Sequence, residues 1–335
     1  MVAEVVPLPD VPRFVLLRAA APEDDFARDV LIGLGAERKW LPPRWFYDAL
    51  GSSLFDTICF LPEYYVMRAE AEVIATFREE IVAAFGPHIR LVELGSGAAR
   101  KTRLLLDLLM PAQPGLEYVP VDIDAAMLER SGRELLQEYP TLRITAVSAD
   151  FTRPSTPLSL LAHTGARNVI LFLGSTIGNL APDEAVSMLR DLRSVMSQGD
   201  ALLLGADLRK EKAILEPAYD DVLGVTAAFN LNLLGRINRE LGGAFDLRAF
   251  RHRAFYDQEH GRIEMHLVSL RPQRVRIEAL GLKVAFEEGE TIHTESSYKH
   301  DETTLHALAD ATGFTVERTW TDAERRFADV LMVAG

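Results

Sequence analysis

Residues Ile89–Lys101, with the sequence IRLVELGSGAARK, contain the pattern that decides the fold of this chain. The apolar run Leu91–Leu94 predicts a short buried strand, Gly95–Gly97 predicts a tight turn, and the residues that follow predict a helix. Strand, glycine turn and helix form the opening unit of a doubly wound α/β domain. Glycines let a ligand approach the backbone closely, yet this stretch alone is equally compatible with a turn that binds nothing.

The composition of the 335-residue chain is that of a globular protein. Hydrophobic residues make up 48% and charged residues 25%, and the length predicts about two domains with a large core. A net charge of −13 disfavours nonspecific binding to nucleic acid or to anionic membranes, so we expect neither as a partner. The single cysteine, Cys59, excludes an internal disulfide framework and a metal site built from several cysteines.

The sequence also indicates a cytoplasmic location. The N-terminal residues are interrupted by Glu4, Pro7, Asp10 and Pro12, so they lack the basic region and continuous apolar core of a signal peptide. No segment has the roughly 18 apolar residues that are needed to cross a bilayer. A reducing cytoplasm is therefore the expected compartment.

Strands and helices alternate from residue 89 onward, which predicts a mainly parallel sheet with helices on both faces. The later predicted strands are Glu117–Asp124, Leu142–Phe151, Val169–Gly174 and Asp200–Gly205, with helices over Ala125–Tyr139 and Pro182–Met196. After a helix over Thr304–Thr312, the segments Phe314–Trp320 and Arg326–Val333 are expected as a hairpin at the edge of this sheet.

Residues 208–294 follow a different pattern. Two helical stretches, Ile214–Phe229 and Leu231–Leu241, precede segments such as Arg262–Ser269 and Arg274–Leu280, in which polar and apolar residues alternate. Period-two alternation is typical of an antiparallel sheet that is open on one face. We therefore predict an inserted α+β substrate-binding domain over 208–294. The main domain would comprise 24–207 and 295–335, with residues 1–23 as an N-terminal arm.

Two aromatic segments precede the first strand of the main domain. Leu41–Asp56 and Leu61–Arg68 are rich in aromatic residues and punctuated by prolines, between a helix over 24–34 and another over 69–85. Such segments are suited to form pocket walls. A helical cap that packs its aromatic side chains into the core is at least as compatible with the same residue types.

Acidic and small residues follow several of the predicted parallel strands, at the edge where doubly wound folds bind ligands. Either Asp122 or Asp124 could accept both hydroxyls of a ribose, and we favour Asp122. The pair Asp150 and Phe151 could hold an adenine. Each acid could instead cap a helix, which is the commoner role for a lone aspartate after a strand. The recurrence at successive strand ends favours an adenosine site.

The glycine turn separates two classes of adenosine ligand. The dinucleotide fingerprint requires a third small residue, and this chain has Arg100 there. Glu93-Leu-Gly-Ser-Gly97 instead resembles the acidic-x-Gly-x-Gly loop of class I methyltransferases, for which an antiparallel last strand is also typical. These features favour a methyltransferase over a dehydrogenase.

Longer motifs resemble a narrower family, the histidine-specific Nα-methyltransferases of ergothioneine biosynthesis. The resemblance runs from about residue 24 to the C-terminus, with the motifs in the same order and at similar spacing. The matching segments are Leu41–Ser52, Leu61–Tyr65, Val92–Gly97, Phe172–Leu180, Ala218–Asp221, Gly224–Asn230, Arg262–Met265 and Thr294–Ser297.

This resemblance implies a class I fold, in which a Rossmann-like, seven-stranded, mainly parallel sheet carries an inserted substrate domain. It implies that the α-amine of L-histidine is trimethylated to hercynine, the first step of ergothioneine biosynthesis. Three molecules of S-adenosylmethionine would be consumed and S-adenosylhomocysteine released. The positions that match the family's cofactor-binding residues are Gly95, Lys101, Asp122, Asp150 and Phe151, with Gly97 in the same turn.

The resemblance also implies the roles of individual substrate-site residues. Tyr64 and Tyr219 would bind the amino acid, Tyr219 at its carboxylate, and Asn179 would hold the α-amine region. Glu295 and Ser297 would hydrogen-bond the imidazole, and in an extended segment they lie on one face. Tyr47 and Gly174 match residues beside the reacting nitrogen, and Met265 matches one near the imidazole.

Two alternatives remain open at this level. The same fold could methylate another amino acid, such as tryptophan or a modified histidine, although Glu295 and Ser297 argue against this. A non-catalytic protein that binds S-adenosylmethionine would retain the cofactor residues, although Tyr47 and Asn179 argue for catalysis. We expect a monomer, because no large apolar stripe in the sequence requires a partner. We expect no metal, because helix-spaced histidine pairs are absent from the sequence.

Overall fold

The computed structural model describes residues 4–7, 13–18, 25–152 and 165–335, with only the backbone for Glu4–Pro7. The chain divides into two compact units. The first unit comprises residues 1–21, 68–208 and 300–335, and the second comprises residues 22–67 and 209–299.

The first unit is built on one large sheet. Its described strands lie in the order β1-β2-β6-β5-β4-β7-β8-β15-β14. The strands from β2 to β8 in this order run parallel, whereas β1, β15 and β14 are each antiparallel to a neighbour. The bounds are β1 Glu4–Pro7, β2 Phe14–Arg18, β4 Ile89–Leu94, β5 Glu117–Asp122, β6 Arg143–Ser148, β7 Arg167–Phe172, β8 Ala201–Asp207, β14 Phe314–Thr321 and β15 Phe327–Ala334.

Helices cover both faces of this sheet. Successive strand residues belong to two different apolar clusters, because side chains alternate between faces along a strand. Leu91 packs in a cluster with residues of α3, α4 and α5, whereas its neighbour Val92 packs with residues of α6 and α9. The helices are α3 Val66–Phe85, α4 Arg100–Ala112, α5 Ala125–Glu138, α6 Pro182–Val195 and α9 Glu302–Thr312.

The second unit packs four helices with a small, mostly antiparallel sheet. Its sheet has the order β3-β13-β10-β9, and β11 and β12 form a separate hairpin. The helices are α1 Asp25–Gly35, α2 Ala49–Ile58, α7 Lys212–Tyr219 and α8 Val225–Leu241, and the strands are β3 Lys39–Trp40, β9 Phe250–Asp257, β10 Arg262–Ser269, β11 Gln273–Ile277, β12 Leu282–Phe286 and β13 Thr291–Tyr298.

The predicted mainly parallel sheet with a terminal antiparallel hairpin is confirmed, but its size differs. Seven strands were expected, and β1 and β2 add two more at one edge. Phe14–Arg18 pairs in parallel with β6 and buries Phe14 and Leu16, so part of the expected arm belongs to the sheet. The rest of the arm, including residues 8–12 and 19–24, lies outside the described residues.

The helices of residues 212–241 also differ from the prediction. The expected break between Phe229 and Leu231 is absent, because α8 runs through both. The chain turns earlier, where Gly224 has a φ of 72° and Asp221 accepts hydrogen bonds from the N–H groups of Val225 (3.0 Å) and Thr226 (2.7 Å). A side chain that accepts from the first free N–H groups starts a helix, and this local signal was missed.

The two units differ from the predicted domain bounds at three places. Residues 24–67 and 295–299 were expected in the main domain, whereas they group with the second unit, and in addition Leu208 was expected in the inserted domain but groups with the first unit. Strand β3 extends the sheet of β13, and Phe46 and Phe229 pack with ring centroids 4.6 Å apart. The helical interpretation of the first aromatic segment is confirmed over Ala49–Ile58.

Among the described residues, no helix is long and apolar enough to cross a membrane.

The start of α2 provides a test of this packing. A Cβ on Gly51 would lie 1.7 Å from the carbonyl oxygen of Phe46, whereas one on Gly35 would meet no described atom within 4 Å. Gly51→Ala should therefore lower the free energy of unfolding by about 2–3 kcal/mol through overpacking. The matched control Gly35→Ala should change it by less than about 1 kcal/mol. Urea unfolding measures both, and equal effects would contradict the described start of α2.

Candidate active site

The glycine turn of the first unit joins the ends of two neighbouring strands. The backbone N–H of Gly95 donates to the carbonyl of Val121 at 2.8 Å, and Gly95 has a φ of 73°. The N–H of Gly97 donates to Oδ2 of Asp122 at 2.8 Å. Hydrogen bonds from Gly95 to Val121 and from Gly97 to Asp122 thus hold the predicted cofactor residues Gly95, Gly97 and Asp122 together at the end of β5.

The two acids after β5 have different roles. Asp124 caps α5, because its Oδ1 accepts from the N–H groups of Ala126 and Met127, both at 3.0 Å. Asp122 accepts one bond on each oxygen, from Gly97 and from the N–H of Asp124. An ionised carboxylate has about four acceptor positions, so Asp122 retains the capacity to accept two hydroxyls. Burial raises the pKa of Asp122 from its usual value.

Phe151 lies beside the glycine turn, as an adenine-binding residue requires. A Cβ on Gly95 would be 3.6 Å from two ring atoms of Phe151. Phe151 packs edge-on against Phe172 at the end of β7, with centroids 5.6 Å apart. Asp150 precedes this ring, and its Oδ1 accepts from the N–H of Thr152 at 3.1 Å. The structure therefore brings the predicted ribose and adenine residues to one edge of the sheet.

Lys101 and Gly174 both contact one buried residue, which the sequence analysis missed. Glu70, on α3, is fully buried and forms an ion pair with Lys101. Its two carboxylate oxygens accept from the N–H of Gly174 at 2.7 and 2.9 Å. A Cβ on Gly205 would lie 2.2 Å from Oε1 of Glu70, so the glycine makes room for this carboxylate. Within the first unit, Glu70 positions one predicted cofactor residue and one predicted substrate residue.

Glu93 and Asp329 are further buried carboxyls of the same unit, and both have a raised pKa. Burial raises the pKa of Glu93 to about 7, although its Oε2 accepts from the hydroxyls of Thr102 (2.7 Å) and Tyr118. Burial and the neighbouring Glu70 raise the pKa of Asp329 well above its usual value, whereas Lys101 lowers it. The ion pair with Lys101 therefore lies beside two further carboxyls, Glu93 and Asp329, whose charge burial disfavours.

Asn179 lies at the end of the short 3₁₀ helix Thr176–Asn179 that follows β7. The helix is preceded by Ser175 in the left-handed conformation, with a φ of 56°. The hydroxyl of Ser175 accepts from the N–H of Asp207 at 2.9 Å, which fixes this turn to the end of β8. The half-buried Asn179 and Gly174 are the two predicted substrate residues that belong to the first unit.

The other predicted substrate residues come together in the second unit. Tyr64 packs edge-on against Tyr219, with centroids 6.1 Å apart. Tyr47 and Tyr64 both pack against Phe55, at 5.6 and 6.2 Å. Burial, with Tyr219 and Glu295 among the nearby groups, raises the pKa of Tyr64 well above its usual value. Its hydroxyl is therefore a neutral donor at physiological pH.

Glu295 and Ser297 lie on one face of β13, as predicted, and both are buried. Met265 is paired with Glu295 across the sheet, which places all three side chains in one area. Burial raises the pKa of Glu295 to about 7, and Lys299 opposes this effect. Glu295 is thus a buried carboxyl whose charge depends on what lies next to it.

Lys299 is the second residue that the sequence analysis missed. Its side chain is only 2% exposed, and its ammonium donates to the hydroxyls of Tyr219 and Ser297, both at 2.8 Å. Those two hydroxyls are 2.9 Å apart. The alternation from Glu295 through Ser297 to Lys299 is the sequence signal that could have located it, because every second residue of a strand shares one face.

Comparison with known proteins identifies the family. A family model described as histidine-specific methyltransferase, SAM-dependent, matches residues 26–334. The chain belongs to this family. It is 46% identical over 318 residues to the histidine N-alpha-methyltransferase of Mycolicibacterium smegmatis, covering 95% of this chain and 97% of that protein.

Two further relatives have related names. The histidine N-alpha-methyltransferase of Mycobacterium tuberculosis is 46% identical over 295 residues, which cover 88% of this chain and 90% of that protein. Ergothioneine biosynthesis protein 1 of Schizosaccharomyces pombe is 31% identical over 232 residues, which cover 67% of this chain and 30% of that protein. Membership of the family confirms that the chain is a SAM-dependent methyltransferase. The mainly parallel sheet with an antiparallel last strand agrees with the predicted class I fold.

The buried Glu93 gives a pH prediction. Its carboxyl holds a proton more tightly in the folded state, since the pKa rises from 4.5 to about 7, so this group lowers stability as the pH rises through that window. Glu93→Gln removes the effect. The free energy of unfolding of Glu93→Gln, relative to that of wild type, should therefore rise by about 3 kcal/mol from pH 4.5 to above pH 7.

Denaturant unfolding at several pH values measures this difference. Glu79→Gln, at an exposed position of α3, is the control and should show little pH dependence relative to wild type. A Glu93→Gln curve that runs parallel to the wild-type curve would show that the pKa of Glu93 is the same in the folded and unfolded states.

Proposed function

We propose that this enzyme transfers three methyl groups in succession to the α-amine of L-histidine and forms hercynine, the first step of ergothioneine biosynthesis. The observation that carries the proposal is the buried pair Glu295 and Ser297 on one face of β13, beside Met265. Family membership and the histidine N-alpha-methyltransferases at 46% identity support the same substrate.

The chemistry of an imidazole suits this pair. A neutral imidazole has one N–H donor and one acceptor nitrogen. The carboxylate of Glu295 can accept the N–H, and the hydroxyl of Ser297 can donate to the other nitrogen. A plain hydrocarbon side chain would leave the buried carboxyl without a partner, which costs about 1–3 kcal/mol or more for a charged group. The pair therefore favours a ring with one donor and one acceptor.

The turn of the first unit suits an adenosyl cofactor. A Cβ on Gly97 would meet no described atom within 4 Å, so there is open space beside the turn. We propose that Asp122 accepts the ribose hydroxyls, that Asp150 and Phe151 hold the adenine, and that Lys101 binds the amino-acid part. When bound, S-adenosylmethionine supplies an electrophilic methyl group on a sulfonium and leaves as S-adenosylhomocysteine.

The residues around the amine act by positioning. Before each transfer the amine loses its ammonium proton to solvent, because only the free amine has a lone pair. That lone pair must lie in line with the carbon–sulfur bond that breaks as the nitrogen–carbon bond forms. Asn179 can accept from the amine without adding a charge, and Tyr47 lies within the aromatic group of Phe55 and Phe229. We propose that Tyr64 and Tyr219 hold the substrate, with Tyr219 at its carboxylate.

The substrate is tested directly with a panel of amino acids. Incubation with S-adenosylmethionine and L-histidine should add three methyl groups by mass, whereas tryptophan should gain none. Glu295→Ala should raise KM for histidine about 10- to 100-fold, because a charge-assisted hydrogen bond is lost. The KM for S-adenosylmethionine should stay within about twofold.

Glu288→Ala is the matched control, because Glu288 is exposed between β12 and β13. It should leave both constants unchanged. Methylation of tryptophan but not of histidine would overturn the proposed substrate. Equal losses for histidine and for the cofactor in Glu295→Ala would overturn the proposed role of that carboxyl.

The first unit provides a separate test of the cofactor site. Glu70→Gln removes the charge that holds Lys101, so the affinity for S-adenosylhomocysteine should fall about 10-fold, as expected for one lost charge-assisted bond. Calorimetry measures this dissociation constant, with Glu79→Gln as a control on the same helix. An unchanged dissociation constant in a folded Glu70→Gln variant would show that the ion pair with Lys101 does not contribute to cofactor binding.

The monomeric state and the cytoplasmic location stay predictions from the sequence.

A further inference from the structure

We propose that Lys299 is a positioning residue of the histidine site, whose buried ammonium orients the hydroxyls of Tyr219 and Ser297 for the substrate. The inference rests on the proposed function, because it assigns a new residue to the same site. Its basis is the arrangement of three side chains in the second unit: the triad of Tyr219, Ser297 and Lys299.

The triad joins two elements through one cation. Tyr219 ends α7, whereas Ser297 lies on β13 and Lys299 directly follows that strand. The ammonium of Lys299 donates to both hydroxyls at 2.8 Å and also lies 4.7 Å from the centre of the Tyr219 ring. A buried cation with two short hydrogen bonds fixes both hydroxyls more firmly than a neutral donor would, because charge-assisted bonds are about twice as strong.

The ammonium also sets the direction of the hydrogen bonds. An ammonium has donors only, so the hydroxyl oxygens of Tyr219 and Ser297 must each accept from Lys299. The bond between these two oxygens uses one of their two hydrogens. The triad can therefore offer its surroundings at most one hydroxyl hydrogen, and it offers it as a donor. The substrate atom that receives this hydrogen is an acceptor, so within the intact triad either Ser297 donates to an unprotonated ring nitrogen or Tyr219 donates to a carboxylate oxygen, and not both at once.

The charge of Lys299 acts on Glu295 as well. Burial raises the pKa of Glu295 to about 7, and the ammonium of Lys299 lowers it. Tyr64, which precedes α3, also lies near Glu295, and burial raises the pKa of its hydroxyl well above the usual value, so this hydroxyl adds no charge beside the carboxyl. Without Lys299, Glu295 would become protonated at a higher pH and could no longer accept from a ring N–H.

Lys299→Met tests both effects in the full-length enzyme. We expect KM for histidine to rise about 10- to 100-fold, as for a lost bond to a charged group, while KM for S-adenosylmethionine stays within about twofold. The acid limb of the pH profile of kcat/KM for histidine should also move to higher pH. Lys283→Met, at an exposed position of β12, is the matched control and should leave both properties unchanged.

Further variants separate orientation from charge. Lys299→Gln retains donors without the charge, so its acid limb should move as in Lys299→Met while its KM rises less. Lys299→Arg retains the charge, so its acid limb should stay near that of wild type. If Lys299→Met fails to fold, these two variants still test the inference by the same two readouts.

The substrate series identifies the acceptor that meets the triad. Wild type should use L-histidinol, which lacks the carboxylate, less well than histidine. If Lys299→Met lowers kcat/KM for histidine and for histidinol by the same factor, the triad donates to the ring, which both substrates share. If Lys299→Met lowers kcat/KM for histidine alone and so abolishes the preference for histidine, the triad donates to the carboxylate.

Other outcomes overturn the inference. An unshifted acid limb together with equal rises in both KM values would reduce Lys299 to a structural role. If wild type methylates no histidine, the proposed function fails, and this result is distinct from a wild type that is active and insensitive to Lys299→Met.

Discussion

The ion pair between Glu70 and Lys101 is the interaction on which the edge of the first unit depends. It joins α3, the start of α4 and, through the N–H of Gly174, the turn after β7. Removing either charge would leave the other buried without this ion pair, which costs up to several kcal/mol unless the surroundings rearrange. The pair therefore fixes a cofactor residue and a substrate residue through one carboxylate.

The alternation of strands and helices could be predicted from the sequence, because periodicity, glycine turns and buried apolar runs are local properties. The turn at Gly95 and Gly97 and the pairing of Glu295 with Ser297 on one face follow from such patterns. The choice between Asp122 and Asp124 also had a local basis, since an acid one residue before a helix commonly caps it. The structure assigns the capping role to Asp124 and leaves Asp122 at the glycine turn.

Features that depend on distant partners could not be predicted. Strand β2 reads as an isolated apolar segment, and its partner β6 lies more than 120 residues further along the chain. Glu70 reads as one charged residue of an amphipathic helix, and only the fold shows that its side chain is fully buried. Lys299 reads as a basic residue after a strand. Whether such a charge is solvated or buried is decided by groups that the local sequence does not contain.

The two buried carboxyls with a pKa near 7 illustrate how surroundings set a role. At Glu93 the hydroxyls of Thr102 and Tyr118 donate to the carboxylate, and with Lys101 they oppose the rise in pKa that burial causes. At Glu295, among the described residues, the charge of Lys299 opposes the effect of burial. A donor N–H that binds to Glu295 would favour the ionised form further, so ligand binding and ionisation reinforce each other. A ring that lacks an N–H donates no hydrogen bond to Glu295 and does not favour its ionised form. Such a ring is therefore disfavoured for two reasons: the hydrogen bond is missing, and the buried carboxyl has no donor that stabilises its charge.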